Sequence, residues 1–185
     1  ACYLEAKLFG FCALAPPSEG AEPRREVPDA ERLQRGPAYE AASDRSSVAG
    51  SAEDWPTFRH DAARSGTTKT TVQPTDIKRA WETKLGGALS SPVVAEGKVL
   101  VASVDTHTVH ALDANTGRPA WSFTTGGRVD SPPTVWQGRA LFGSADGYVY
   151  CVRATDGQLI WRFRAAPEER RMSAFEQVES AWPVP

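Results

Sequence analysis

VHALDANTGRPAW occupies residues 109–121, and the related stretch VYCVRATDGQLIW occupies residues 149–161. Each stretch ends in tryptophan, and together with an earlier tryptophan they form a series, Trp81, Trp121 and Trp161, with intervals of 40 residues. Other positions recur at the same or nearly the same interval: Gly86 and Gly126, Ser91 and Ser131, Gly97 and Gly138, Asp105 and Asp146, Gly117 and Gly157. A period of about 40 residues indicates a repeat architecture.

Each repeat carries the signals of four short strands separated by turns. We predict strands at residues 89–95, 98–104, 108–114 and 118–124 in the first repeat, and at 129–136, 139–145, 148–154 and 158–164 in the second. Glycine lies in the turn before each second strand and each fourth strand, where a tight turn needs a positive φ. Each repeat is therefore predicted to be an antiparallel meander.

The second strand of each repeat is apolar on both of its faces, at residues 99–102 and 140–143. A sheet of this kind must be covered on both sides, which is typical of the blades of a β-propeller. We therefore predict an all-β protein, a partial β-propeller with four-stranded antiparallel blades at residues 86–125 and 126–165. Residues 79–85 match the fourth strand of a blade that has no first three strands, and residues 176–185 match the start of a third blade.

The region before the repeats has a different composition. Between residues 13 and 53 the apolar residues larger than alanine are Leu14, Val27, Leu33, Tyr39 and Val48. So few large apolar side chains do not build a core, and we predict a disordered linker over 13–53. Within it, residues 29–34 have the sequence for a turn or two of helix behind an aspartate cap. Residues 54–78 are predicted to lead into the first blade, and propeller repeats to occupy 79–185.

The first residues of the chain admit two interpretations. Residues 7–15 contain a lysine, a short apolar run and an Ala-x-Ala pattern, as in a signal peptide. Alternatively, residues 1–12 end a preceding propeller region. The sole methionine is Met172, so we expect that the chain was processed or belongs to a longer protein. The longest apolar stretch, residues 8–15, falls short of the roughly 20 residues of a membrane-spanning helix, so no membrane span is predicted.

Charge and cysteine content exclude several classes of protein. The chain has 21 Lys and Arg against 23 Asp and Glu, which argues against nucleic acid as a partner. Cys2, Cys12 and Cys151 are far apart in the sequence and match neither a disulfide framework nor a zinc-binding pattern. Their oxidation state stays open.

The repeat itself resembles a known family. Residues 109–121, and less closely 149–161 with Arg153 in place of the usual aspartate, resemble the pyrroloquinoline-quinone-like (PQQ-like) propeller repeats of bacterial quinoproteins. The same repeats form the outer-membrane assembly lipoprotein that shares their fold. Residues 54–59, DWPTFR, resemble the segment before the first blade, and residues 1–11 resemble a segment that joins two propeller regions. This resemblance implies a location in the periplasm or cell envelope.

The resemblance also bears on cofactors. In the dehydrogenases of this family, the quinone lies on the propeller axis and is held by many blades and a calcium ion. Two blades do not enclose it, and no residue here matches a catalytic aspartate or a calcium-ligating glutamate. We therefore predict no cofactor in this chain; PQQ and calcium would bind only in a complete propeller.

The remaining candidate residues favour structural roles. We interpret Asp105 and Asp146 as turn formers. The pair His107 and His110 belongs to a strand, where residues three apart face opposite sides, so it does not form a metal site. Cys151, which replaces Ala111, is predicted to be buried, and His60 has no partner in a recognisable motif. We assign structural repeat roles to Trp81, Trp121, Trp161, Gly117 and Gly157, and we expect Trp136 to be exposed.

Together these features predict a non-catalytic propeller module that binds protein partners, or the remaining blades of its own chain, in the bacterial cell envelope. The alternative is part of a PQQ-dependent dehydrogenase whose ligands lie in other blades. A third alternative is a propeller coupled to a separate catalytic domain. Because two blades leave edges and faces uncovered, we expect the isolated chain to be marginally stable or to oligomerise.

Overall fold

A computed structural model describes residues 27–41, 50–51, 53–71, 75 and 77–185. The predictions for residues 1–12, including Cys2 and Cys12, lie outside this part of the chain. The described residues before the repeats contain one helix and one strand, α1 (Asp29–Arg32) and β1 (Leu33–Arg35). The repeats and the segment after them contain β2 (Val93–Ala95), β3 (Lys98–Ser103), β4 (Thr108–Asp113), β5 (Pro119–Thr124), β6 (Thr134–Trp136), β7 (Arg139–Gly143), β8 (Tyr148–Arg153), β9 (Leu159–Arg164), β10 (Arg171–Ala174) and β11 (Gln177–Ser180).

The two repeats form two similar antiparallel sheets. The first has the strand order β2-β3-β4-β5. The second has the order β6-β7-β8-β9, with β1 added at the outer edge of β9. Both sheets shift register at the same place, after Ala111 in β4 and after Cys151 in β8. The predicted all-β partial propeller with two four-stranded blades is therefore confirmed.

The main hydrophobic core lies between the two blades. From the first blade it takes residues such as Leu100, Val109 and Ala111, each of them fully buried. From the second it takes Ala140 and Val152, also fully buried. Each blade thus supplies the cover that the other blade's apolar face needs, which a single meander cannot supply for itself.

The segment before the repeats differs from the prediction. Residues 13–53 were expected to be a disordered linker, yet within the described residues 27–41 β1 pairs with β9, matching Leu33 to Phe163 and Arg35 to Trp161. The helix α1 follows Pro28, and no side chain caps it, contrary to the expected aspartate cap. The composition rule does not hold for residues 27–41, because these residues gain their order from the edge of an existing sheet rather than from a core of their own.

One other segment also differs from the predicted strands. Residues 79–85 pair with no strand in the described part of the chain, so their extended sequence does not become part of a sheet. Residues 176–185, where the start of a third blade is predicted, contain the strand β11, which pairs with β10 in a hairpin over 171–180. None of the described helices is long and apolar enough to span a membrane.

The hairpin is fixed to the second blade by polar contacts. Arg128, which precedes that blade's first strand, forms a buried ion pair with Glu179 of β11. The backbone N–H of Ser180 donates to the carbonyl of Ala145 at 2.8 Å. The Arg128 guanidinium also lies 4.0 Å from the centre of the Phe175 ring at the hairpin turn. These contacts hold Phe175 at the surface, where it is 73% exposed.

Candidate functional site

The repeated tryptophans and glycines meet in pairs across the blade junctions. The indole Nε1–H of Trp121, in the outer strand of the first blade, donates to the carbonyl of Ala154 in the second blade at 2.9 Å. Its ring lies on Gly157, where an added Cβ would come within 2.6 Å of the indole. Gly157 also has a φ of +73°, so both the turn and the close approach require glycine there.

The same contact occurs one repeat earlier. Trp81 donates to the carbonyl of Ala114 at 2.9 Å and lies on Gly117, where an added Cβ would be 2.5 Å from the ring. The hydroxyl of Thr83 also donates to the carbonyl of Gly117. Residues 79–85 therefore contact the first blade through side chains, even though they pair with none of the strands described. Trp161 has a different environment, because it packs against Ala38 rather than against another blade.

Asp146 is the main polar group at the junction of the two blades. Its carboxylate, on a residue only 6% exposed, accepts hydrogen bonds from the Gly126 N–H at 2.8 Å, the Tyr150 hydroxyl at 2.6 Å and the Tyr148 N–H at 3.1 Å. Burial and this bond raise the pKa of Tyr150 above its ordinary value. The equivalent residue, Asp105, is exposed. The sequence alone assigned the same role to both aspartates. They differ in the structure because only Asp146 has a tyrosine four residues later, and the hydroxyl of that tyrosine donates to its carboxylate.

The three histidines have three different environments. His107 contacts the side chain of Gln177 in the hairpin. His110 is half-buried on β4, and burial lowers its pKa. His60 packs edge-on against Trp55, with ring centres 4.9 Å apart, and lies beside Asp61. Within the described residues, no three His, Cys, Asp or Glu side chains are grouped so as to hold a metal ion.

The segment that leads into the first blade covers the inner strands. Trp55 pairs with Val94 of β2, and the carbonyl of Pro56 accepts a bond from the Val135 N–H of β6 at 2.7 Å. Next to this segment is a cleft of about 830 Å³, lined in part by His60, Asp61, Arg64, Glu96 and Trp136. Trp136 is 59% exposed, as the sequence led us to expect. The Glu96 carboxylate is engaged in accepting a bond from the N–H of Gly138.

Cys151 is fully buried on β8. Burial raises the pKa of its thiol to about 11, from an ordinary value of 9.0. A thiol that stays protonated at neutral pH is a weak nucleophile, so this residue has the properties of a small packed side chain.

The raised pKa of Cys151 predicts a dependence of stability on pH. Above pH 9 the thiol of the unfolded chain loses its proton while the folded chain keeps it, so stability should fall as the pH rises towards 11. The loss should reach about 2–3 kcal/mol. Urea unfolding between pH 8 and 11 measures it, with Cys151→Ala as the control, since Ala111 occupies this position in the first blade. Equal pH slopes in the two proteins would contradict the prediction.

Four-stranded antiparallel sheets packed face to face, with tryptophan on glycine at each junction, define a β-propeller repeat protein of the PQQ-like class. Comparison with known families agrees: the family model described as "Outer membrane protein assembly factor BamB" matches residues 64–182. The chain belongs to this family of PQQ-like propellers.

Individual relatives fall into two groups. BamB of Burkholderia pseudomallei is 32% identical over 108 residues, which are 56% of this chain and 28% of the relative. The quinohemoprotein alcohol dehydrogenase of Comamonas testosteroni is 27% identical over 154 residues, 69% of this chain and 22% of the relative. The chain thus spans about a quarter of the length of these relatives. The predicted cell-envelope location agrees with relatives that are outer membrane assembly factors by name.

Solved structures show the same fold. The quinohemoprotein alcohol dehydrogenase ADHIIG of Pseudomonas putida HK5 superposes with a TM-score of 0.55 at 21% identity, covering 72% of this chain and 21% of that one. A europium-containing methanol dehydrogenase gives a TM-score of 0.53 at 18% identity, covering 69% of this chain and 25% of that one. Both likenesses concern the fold alone.

Proposed function

We propose that this chain is a non-catalytic propeller module that serves as a protein-interaction scaffold in the bacterial cell envelope. The observation that carries the proposal is that three chemically capable groups among the described residues are either bound to structural partners or fully buried. The carboxylate of Asp146 accepts three hydrogen bonds at the junction, Glu179 pairs with Arg128, and the Cys151 thiol is buried. Groups with these partners are not available for acid–base or nucleophilic chemistry.

The proposed binding surface lies on the side of the blades that carries the hairpin. Phe175 and Met172 are 73% and 46% exposed there, and Arg128 lies directly beneath the Phe175 ring. Phenylalanine, methionine and arginine are enriched in protein interfaces relative to the rest of the surface. The family match supports a role in protein interaction, because the matching model is named for an assembly factor.

The proposed organisation follows the repeat. Residues 54–78 lead into the propeller, blades occupy 86–125 and 126–165, and residues 176–185 begin a third blade. The tryptophans and the glycines beneath them are assigned the role of joining successive blades. This assignment is supported by the two junctions in which the same indole contact recurs.

A second function is favoured by the extent of one match. The quinohemoprotein alcohol dehydrogenase covers 69% of the chain, whereas BamB of Burkholderia pseudomallei covers 56%. In that alternative, the chain is part of a PQQ-dependent dehydrogenase. The described residues group no three His, Cys, Asp or Glu side chains that could hold a metal ion, so this alternative places the calcium ligands in other blades.

A titration separates the two functions. The complete protein that contains these residues is titrated with calcium and PQQ while the absorbance of the quinone is followed, with the 185-residue chain as the control. We expect no stoichiometric binding by either protein. Saturable binding of one quinone by the complete protein would overturn the scaffold proposal in favour of the dehydrogenase.

A cross-linking experiment tests the binding surface itself. A photo-reactive amino acid at Phe175 should give a discrete protein adduct in the cell envelope. The same group at Asn115, on the opposite turn of the first blade, is the matched control and should not. Equal labelling from both positions, or from neither, would overturn the assignment of this surface.

A further inference from the structure

The two blades present the same face in two different environments. In the first blade this face contains Leu100 on β3, Ala111 on β4 and Trp121 on β5, which are neighbours in register. The second blade covers it, and Leu100 and Ala111 are fully buried. The face is therefore the one through which a blade receives the next blade in the sequence.

In the second blade the same register positions are held by Leu141, Cys151 and Trp161. The described residues contain no further blade to cover them. Instead, Ala38 and Tyr39 pack against Cys151 and Trp161, and Ala38 is only 2% exposed. Val184 and Pro185 cover the same face at Gly143. On the outer strands, a short segment that precedes the repeats thus occupies the place that a blade occupies on the first sheet.

The segment is held mainly by its backbone. After β1 pairs with β9, the N–H of Gly36 donates to the carbonyl of Ile160 at 2.8 Å, and that of Ala38 donates to the carbonyl of Leu159 at 3.0 Å. Gly36 passes so close to the sheet that an added Cβ would overlap the Leu159 carbonyl oxygen. The path of the chain over the blade therefore depends on a glycine at this position.

The segment covers the face less completely than a blade does. Leu141 and Trp161 stay half-buried, whereas Leu100 is fully buried at the equivalent position. A groove of about 340 Å³ remains between Tyr39 and the exposed Trp136. The apolar area left open is a source of free energy for any larger partner that fits the same face.

We propose that residues Leu33 to Ala41 form a detachable cap on the docking face of the second blade, and that a further blade of the same repeat replaces it. The cap and the blade exclude each other because both require the surface formed by Cys151 and Trp161. This inference does not depend on whether the complete protein binds a quinone.

The third tryptophan supports a blade as the occupant. Trp81 and Trp121 each donate an indole N–H to a carbonyl of the blade that follows. Trp161 lies at the same place in its own repeat, but within the described residues its indole N–H has no acceptor. A blade with a glycine turn at the equivalent place would supply a carbonyl to accept the indole N–H and a glycine on which the indole ring could pack. The cap supplies neither.

Cys151 is a built-in reporter of the cap, because the same small cluster contains Ala38 and the Cys151 thiol. In the full chain with Cys2→Ser and Cys12→Ser, we compare the rates of thiol labelling in Gly36→Ala and Gly50→Ala. Gly50 is the matched control because a Cβ there meets only the Asp54 carboxylate at 3.5 Å. We expect Gly36→Ala to be labelled at least about tenfold faster, with an unchanged melting temperature of the blades.

A second measurement tests the occupant. Residues 135–165 are repeated after Pro185, with the cysteine of the added copy replaced by alanine, so that a complete third blade follows the start predicted at 176–185. In this longer chain Gly36→Ala should no longer accelerate the labelling of Cys151. Equal labelling of Gly36→Ala and Gly50→Ala in the original chain would overturn the cap, and fast labelling in the extended Gly36→Ala chain would overturn the blade as its replacement.

Discussion

Replacing Trp121 with alanine is expected to lower the free energy of unfolding by about 3 kcal/mol or more. The substitution removes the ring that lies on Gly157 and the bond to the Ala154 carbonyl at 2.9 Å. It opens a void at the junction that holds the two blades face to face, and the rigid turn beneath has no side chain with which to fill it. Chemical denaturation of the purified chain, followed by tryptophan fluorescence and circular dichroism, measures the change.

The chain offers a matched control for this variant. Trp136 is the same residue type on the same pair of blades, but it is 59% exposed. Trp136→Ala should therefore change stability by no more than about 0.5 kcal/mol. If the two variants lost similar amounts, the contact of tryptophan on glycine would not be what joins the blades.

Replacing Asp146 with alanine is expected to cost about 3 kcal/mol as well. The carboxylate satisfies the Gly126 and Tyr148 N–H groups and the Tyr150 hydroxyl, and Tyr150 is only 3% exposed. Without the carboxylate, buried donors at the junction lose their acceptor and water has little access to replace it. The same denaturation experiment measures the loss, and the ionisation of Tyr150 should return towards its ordinary pKa in an absorbance titration.

Asp105 provides the comparison, because it occupies the equivalent position in the first repeat but is exposed. Asp105→Ala should remain within about 0.5 kcal/mol of the parent protein. A loss in Asp105→Ala as large as in Asp146→Ala would show that the aspartates act only as turn formers, which is how the sequence alone presents them.

The blades were predictable because their information is local and repeated. The 40-residue spacing of the tryptophans, the glycines at the turns and the apolar alternation of the second strand together specify an antiparallel meander, which the structure shows twice. The glycine under each tryptophan could also be found by aligning the repeats. Only the pairing across blades, between Trp121 and Gly157, needed the three-dimensional arrangement.

The features that the sequence did not reveal depend on contacts with distant residues. The pairing of β1 with β9 adds three residues to an edge that already exists, so it needs no apolar periodicity of its own. The ion pair of Arg128 with Glu179 joins residues 51 positions apart, and neither residue belongs to the repeat pattern. Asp105 is exposed and Asp146 is buried, because only Asp146 faces a tyrosine hydroxyl.

The cap has a further consequence for the order of events during protein synthesis. The tryptophan contacts join residues 33 positions apart, whereas the contact of Gln34 with Arg162 joins residues 128 positions apart. A ribosome that adds about 5–20 residues per second makes the cap several seconds before the second blade is complete. Any blade that follows in the sequence is made later still. The nascent second blade therefore meets its cap first, and its apolar face is shielded from other chains while synthesis continues.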